Sequence, residues 1–146
     1  MNVLLIFIWI YAAMIAMAFW EAYAEGRNPW DKRKLGWKVQ LSRNFVFPAY
    51  HFYVFWVMWP LLLTLPFVIY GWDSKLFGVL ASAYFSGMVL EDFFWFIVNP
   101  AVKFSEFWTD FTDYYPWIKV GKKKIIPWGY VLGVAVAVLF WWFLWR

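Results

Sequence analysis

Glu91 and Asp92 stand side by side in Leu90-Glu91-Asp92-Phe93-Phe94-Trp95-Phe96, a run with no other charge. Carboxylates in so apolar a setting can share a proton, act as a general acid, or ligate a hard or borderline divalent cation. In a bilayer each ionisable group is costly and needs a physical reason to be there. Glu91 would lie about 12 Å along a helix from Asn99, too deep for a short carboxylate to reach headgroup water. It continues the stripe Ala83–Gly87 at a spacing of four, so it is predicted to face other helices rather than lipid. Trp95 and Asn99 follow at the same spacing.

Other polar groups are expected to arrive at the same level. Glu21 and Glu25 lie one turn apart on one helix face, and His51, the only histidine, opens a second apolar segment. Glu21, Glu25, His51 and Glu91 together would suit Mn, Fe or Zn, so a divalent metal is one candidate cofactor. The Glu-x-x-His motif of di-iron bundles is missing. Without a metal, the crowded carboxylates would hold a shared proton. The plainer alternative is structural. Glu21 and Glu25 would then pair with Arg27, Lys32 or Arg33 at the interface, and His51 would meet a phosphate or a helix end.

The elements that must position these groups are membrane spans. The chain has 146 residues, 65% hydrophobic, 27% aromatic and only 15% charged. A soluble core of this size cannot hide so much apolar surface, whereas in lipid those side chains can face outward. Four segments reach the ~20 residues that a spanning helix needs: 3–20, 50–70, 76–98 and 128–145. The predicted fold is therefore all-α: one polytopic domain, a bundle of four transmembrane helices with interfacial amphipathic loops. Ala22-Tyr23-Ala24 could be a signal cleavage site, but no Lys or Arg precedes the first segment, which favours a retained helix.

The connections differ in charge. Arg27, Lys32, Arg33, Lys34, Lys38 and Arg43 follow the first segment; Lys103, Lys119, Lys122, Lys123 and Lys124 follow the third; the second connection has only Lys75. The positive-inside rule puts the first and third connections in the cytoplasm and both termini on the other side. Trp20, Tyr23, Trp30, Tyr70, Trp72, Trp128 and Tyr130 read as interfacial belts. Trp37 to Arg43 alternates apolar and polar residues, as a strand or as an irregular interfacial segment. Residues 104–126 read as interfacial and partly helical, with Lys122-Lys123-Lys124 anchoring to anionic lipid. Pro60 and Pro66 should bend the second helix. Small residues should mark packed faces: Gly129, Gly133 and Ala137 on the fourth helix, Ala83 and Gly87 on the third, Ala12 and Ala16 on the first. The fourth-helix stripe could instead join two copies of the chain.

The stretch Leu90 to Phe96 resembles the acidic-pair-plus-aromatics motif of small membrane lycopene cyclases. The resemblance covers about ten residues of one helix. It implies that Glu91 and Asp92 protonate a polyene end, with Phe93, Trp95 and Phe96 stabilising a carbocation through their π faces. That family has Pro just before the pair, where this chain has Val89-Leu90.

No nucleophile elbow, phosphate loop or haem-binding histidine pair is present. Three readings follow. The first is an accessory or lipid-binding membrane module, with a homo-oligomer or a larger membrane complex as its candidate assemblies. The second is an enzyme acting on an isoprenoid or other lipid, with Glu91 or Asp92 as general acid. The third is a metal or proton carrier. Membrane lipids are the expected partners, and nucleic acid is not.

Overall fold

The computed structural model describes residues 1–28, 35–41 and 46–145; Trp30, Lys32, Arg33, Lys34, Ser42 and Arg43 lie outside the described residues. The chain is mostly helical, at 71%. Four helices are long and apolar enough to cross a membrane: α1 (Val3–Glu25), α2 (Ala49–Tyr70), α3 (Ser74–Val98) and α4 (Trp128–Trp145). The chain divides into two units, Met1–Arg27 with Ser74–Arg146, and Asn28–Asp73.

In the first unit α1 begins at Asn2, whose side chain accepts the Leu5 N–H at 3.2 Å. It runs past the expected end at Trp20 and takes in Glu21 and Glu25, both good helix formers. Gly26, at φ +63°, closes it by donating to the Ala22 carbonyl. Helix α3 is the central element, packed on α1 and on α4. A Cβ added at Gly87 would sit 3.0 Å from Met14 and 3.6 Å from Ile10, and one at Gly133 only 2.6 Å from Val89. These glycines let the helix backbones approach closely, the usual basis of association in lipid.

Direction follows from the pairings. Ile10 meets Gly87 and Gly26 meets Asn99, so α1 and α3 run parallel. Tyr130 meets Asp92 and Leu144 meets Gly78, so α4 runs antiparallel to α3. The first unit therefore gathers the C-terminal ends of α1 and α3 and the start of α4 at one end.

Several expectations need correcting. Ala12 and Ala16 are exposed; the buried stripe of α1 is Ile10, Met14, Ala18 and Ala22, offset by about half a turn. A Cβ on Gly129 would meet nothing within 4 Å, whereas Gly133 and Ala137 are occupied by packing inside the unit. The all-α expectation misses two antiparallel hairpins. Residues 104–126 hold two short 3-10 turns, Phe104–Trp108 and Asp110–Thr112, and then a hairpin, β3 (Trp117–Val120) with β4 (Lys123–Pro127).

The second unit contains β1 (Lys38–Gln40) paired with β2 (Val46–Pro48), which fits the alternation seen around Val39. Helix α2 follows. Its Phe52–Met58 stretch is wound as a π-helix, with the Trp59 N–H donating to the Val54 carbonyl. The widened turn immediately precedes Pro60, where the ring forbids a regular ladder. Thr64 Oγ1 donates to the Pro60 carbonyl at 2.7 Å.

Candidate functional site

A helix rotates about 100° per residue, so adjacent side chains point in different directions. Glu91 and Asp92 accordingly diverge and enter two different environments.

Glu91 is 4% exposed and lies near the carboxyl groups of Glu21, itself 4% exposed, and Glu25. Two carboxylates only accept hydrogen bonds; a bond between two carboxyl groups needs a proton on the pair. A proton shared between Glu21 and Glu91 would relieve the crowding of these buried acids. One Glu91 oxygen and the Trp95 indole N–H have no hydrogen-bond partner among the described residues. Asn99 closes this face: its Nδ2 donates to the Gly26 carbonyl at 2.8 Å, and its Oδ1 accepts from the Ala101 N–H at 2.8 Å. His51 belongs to the second unit, where Tyr50 Oη lies 3.4 Å from its Nε2 and Phe55 stacks on its ring at 6.1 Å. Within the first unit the candidate ligands are thus Glu21, Glu25 and Glu91. The pair makes a spectroscopic prediction. Glu91→Gln should remove an infrared carbonyl band of a protonated carboxyl and leave the fold intact, because the amide can donate to Glu21 without a shared proton.

Asp92 turns toward α4 and the segment before it. Tyr115 Oη donates to its carboxylate at 2.7 and 2.6 Å from the two oxygens, and Tyr130 Oη donates to Oδ2 at 2.6 Å. These are charge-assisted bonds and among the strongest neutral donors can make. Burial, followed by the Asp92 charge, holds the Tyr115 phenol well above its ordinary range, so it stays a donor. Around them Phe96, Phe107, Val102 and Trp95 form a buried apolar core of the unit. Sequence reading missed both phenols. Tyr130 was assigned to an aromatic belt, yet it is only 9% exposed, while Trp128, two residues away, is 56% exposed and fits a belt.

Beside this set lies a groove of about 270 Å³ across α3, lined by Tyr11, Ser86, Val89, Leu90, Phe93 and Tyr130. Tyr11 Oη donates to Ser86 Oγ at 2.8 Å, and Ser86 donates onward to the Ser82 carbonyl at 2.7 Å. Apart from these hydroxyls the wall is apolar. Neither Glu91 nor Asp92 lines it.

A clamp holds the loop after α3. Arg27 forms a two-armed ion pair with Glu106, donates to the Ala101 carbonyl at 3.0 Å, and lies 4.8 Å over the Phe111 ring. Glu106 also accepts from the Lys103 N–H at 3.0 Å. The Arg27 guanidinium, then the Lys103 amide, hold the Glu106 carboxyl down to about 2. A depressed carboxyl contributes stability above its unfolded value of about 4.3, and that contribution disappears as pH falls through the folded value. The clamp should therefore stay closed at pH 4 and open near pH 2. Carboxyl NMR of Glu106 should show this transition, and in Arg27→Ala it should move toward the ordinary glutamate range.

Comparison with known protein families, curated proteins and solved structures returns no match.

Proposed function

We propose that this chain is a four-span integral membrane protein that serves as a lipid-binding module, holding part of an acyl or polyprenyl chain in the groove across α3. The groove is the observation that carries the reading. Its volume of about 270 Å³ falls at the lower edge of the ~300–1,000 Å³ typical of ligand pockets, room for a segment of a chain rather than a whole lipid. Its wall is almost wholly apolar, because the hydroxyls of Tyr11, Ser86 and Tyr130 donate to Ser86, the Ser82 carbonyl and Asp92, and such a wall suits a hydrocarbon segment.

Four spans follow from direction. Parallel α1 and α3 require one return crossing between them, and α2 has the length and apolar character to make it. Lys and Arg concentrate in the α1–α2 and α3–α4 connections, which by the positive-inside rule supports a cytoplasmic side for those connections and the opposite side for both termini.

Binding is favoured over catalysis by the placement of the acids. Asp92 already accepts from two phenols, and neither acid reaches the groove wall. A second reading, proton carriage, is favoured by the burial of Glu21 and Glu91 near one another. A divalent ion at these acids would first have to displace a proton they share.

Native mass spectrometry of the purified chain tests the assignment. A retained lipid is expected in the parent and should be lost in Leu90→Trp, which fills the groove. Equal retention in both proteins, or none in either, would refute groove binding. A retained metal ion without lipid would shift the reading to the acid cluster.

A further inference from the structure

The β3–β4 hairpin has one attached side and one open side. On the attached side Trp117 Nε1 donates to the Thr112 carbonyl at 2.9 Å, and the Trp128 N–H donates to the Pro116 carbonyl at 2.8 Å. Lys124 is fastened there too. It forms an ion pair with Asp113 at 2.7 Å, donates to the Thr109 carbonyl and lies 5.5 Å from the Trp117 ring centroid; its side chain is 8% exposed. Lys124 is therefore not available to an outside partner, and the lysine triplet does not act as one unit. Gly121, at φ +59°, makes the turn and leaves Lys122 at the tip.

The open side has a different chemistry. Lys119, Lys122 and Lys123 are exposed and have no ion pair among the described residues. Between them Val120 is 69%, Ile125 50% and Ile126 36% exposed. A two-stranded ribbon is marginal on its own, and branched aliphatics left in water do not help it. Of the acids in residues 104–126, Glu106 pairs with Arg27 and Asp113 with Lys124, which leaves Asp110. The hairpin runs straight into α4, so its tip at Lys122 lies within about 20 Å of the first residue of that helix. In the proposed topology this is the depth of the cytoplasmic headgroups.

We infer that the hairpin is an interfacial foot: Lys119, Lys122 and Lys123 dock on anionic lipid headgroups while Val120 and Ile125 enter the boundary between headgroups and acyl chains. Cationic side chains ringing exposed aliphatic ones complement an anionic leaflet in both charge and polarity. The inference rests on the membrane-spanning reading, and the experiment separates the two.

The chain contains no Cys, so Val120→Cys carries a single environment-sensitive fluorophore. The labelled full chain is reconstituted in nanodiscs of phosphatidylcholine alone or mixed with phosphatidylglycerol. The label should shift to the blue only in the anionic discs, and high salt should reverse the shift. Replacing Lys122 and Lys123 with Gln should weaken the anionic preference roughly thirtyfold, from ~1 kcal/mol per juxtamembrane Lys. Inorganic phosphate added to the neutral discs should do nothing. An equal signal in both lipids, a shift that survives salt, or a shift reproduced by phosphate overturns the proposal. The salt arm uses the chain with its lysines intact and does not depend on how the Gln variant folds. Failure of the chain to enter discs at all would overturn the spanning reading, and the foot with it.

Discussion

Asp92→Ala should lower the unfolding free energy by about 2–4 kcal/mol, the larger of two effects expected from single substitutions. Hydrogen bonds to a charged partner contribute ~1.5–3 kcal/mol each in water-soluble proteins. Couplings measured inside bilayers average nearer 0.6 kcal/mol, because a chain unfolded in lipid also finds partners. Two phenols share Asp92, and deleting it strands both in a dense aromatic core. That pushes the expectation above a single bilayer bond but below the sum of two aqueous ones. Tyr115→Phe and Tyr130→Phe should each cost about 1 kcal/mol, and the double variant should fall short of additivity because the carboxylate is common to both. Denaturant titration followed by tryptophan fluorescence gives all four values. An Asp92→Ala protein as stable as the parent would mean that the carboxylate does not organise these phenols.

Gly78→Val should cost about 1–3 kcal/mol through overpacking. A Cβ at Gly78 would stand 2.7 Å from Leu144 Cβ, 3.1 Å from the Phe140 carbonyl oxygen and 3.1 Å from the Trp145 nitrogen. Two of those atoms are backbone, so relief requires α4 to move away from α3 rather than a side chain to turn. Gly129→Ala is the matched control. A Cβ there meets nothing within 4 Å, and the better helix former should add up to ~1 kcal/mol. Near 150 residues, each kcal/mol moves the melting temperature by about 2–4 °C. Opposite displacements for the two glycines are expected; a Gly78→Val midpoint equal to the parent's would mean the contact is looser than described.

The helices were legible because apolar length is a one-dimensional property, and only their ends moved. Helix α1 gains Glu21 and Glu25, and α3 starts at Ser74. What escaped was rotation and short-range pairing. Ala12 and Ala16 satisfied a rule about small residues, but the face that packs is set by what α3 presents, and Met14 fills the space that Gly87 leaves. The hairpin escaped because β3 and β4 are four and five residues long and an irregularity at Ile118/Lys119 breaks the alternation that would have signalled a strand. For the site, the sequence marked Glu91, Glu21 and Asn99 as inward residues and could not indicate that Asp92 turns the other way. The partners of Asp92 come 23 and 38 residues later, a distance over which no local pattern carries information.

That separation has a consequence during synthesis. Helix α3 is the least apolar of the four spans. When it emerges from the ribosome, Glu21 has already been made, so the neighbouring acid of Glu91 is waiting. Tyr130 is still 38 residues upstream of the exit, roughly two to eight seconds away at ordinary elongation rates. Tyr115, 23 residues after Asp92, is made sooner, so for that interval Asp92 has at most one of its two phenol donors. If the proposed membrane-spanning reading holds, release of α3 from the insertion machinery should be held until α4 arrives, and the two helices should enter lipid as a preassembled pair.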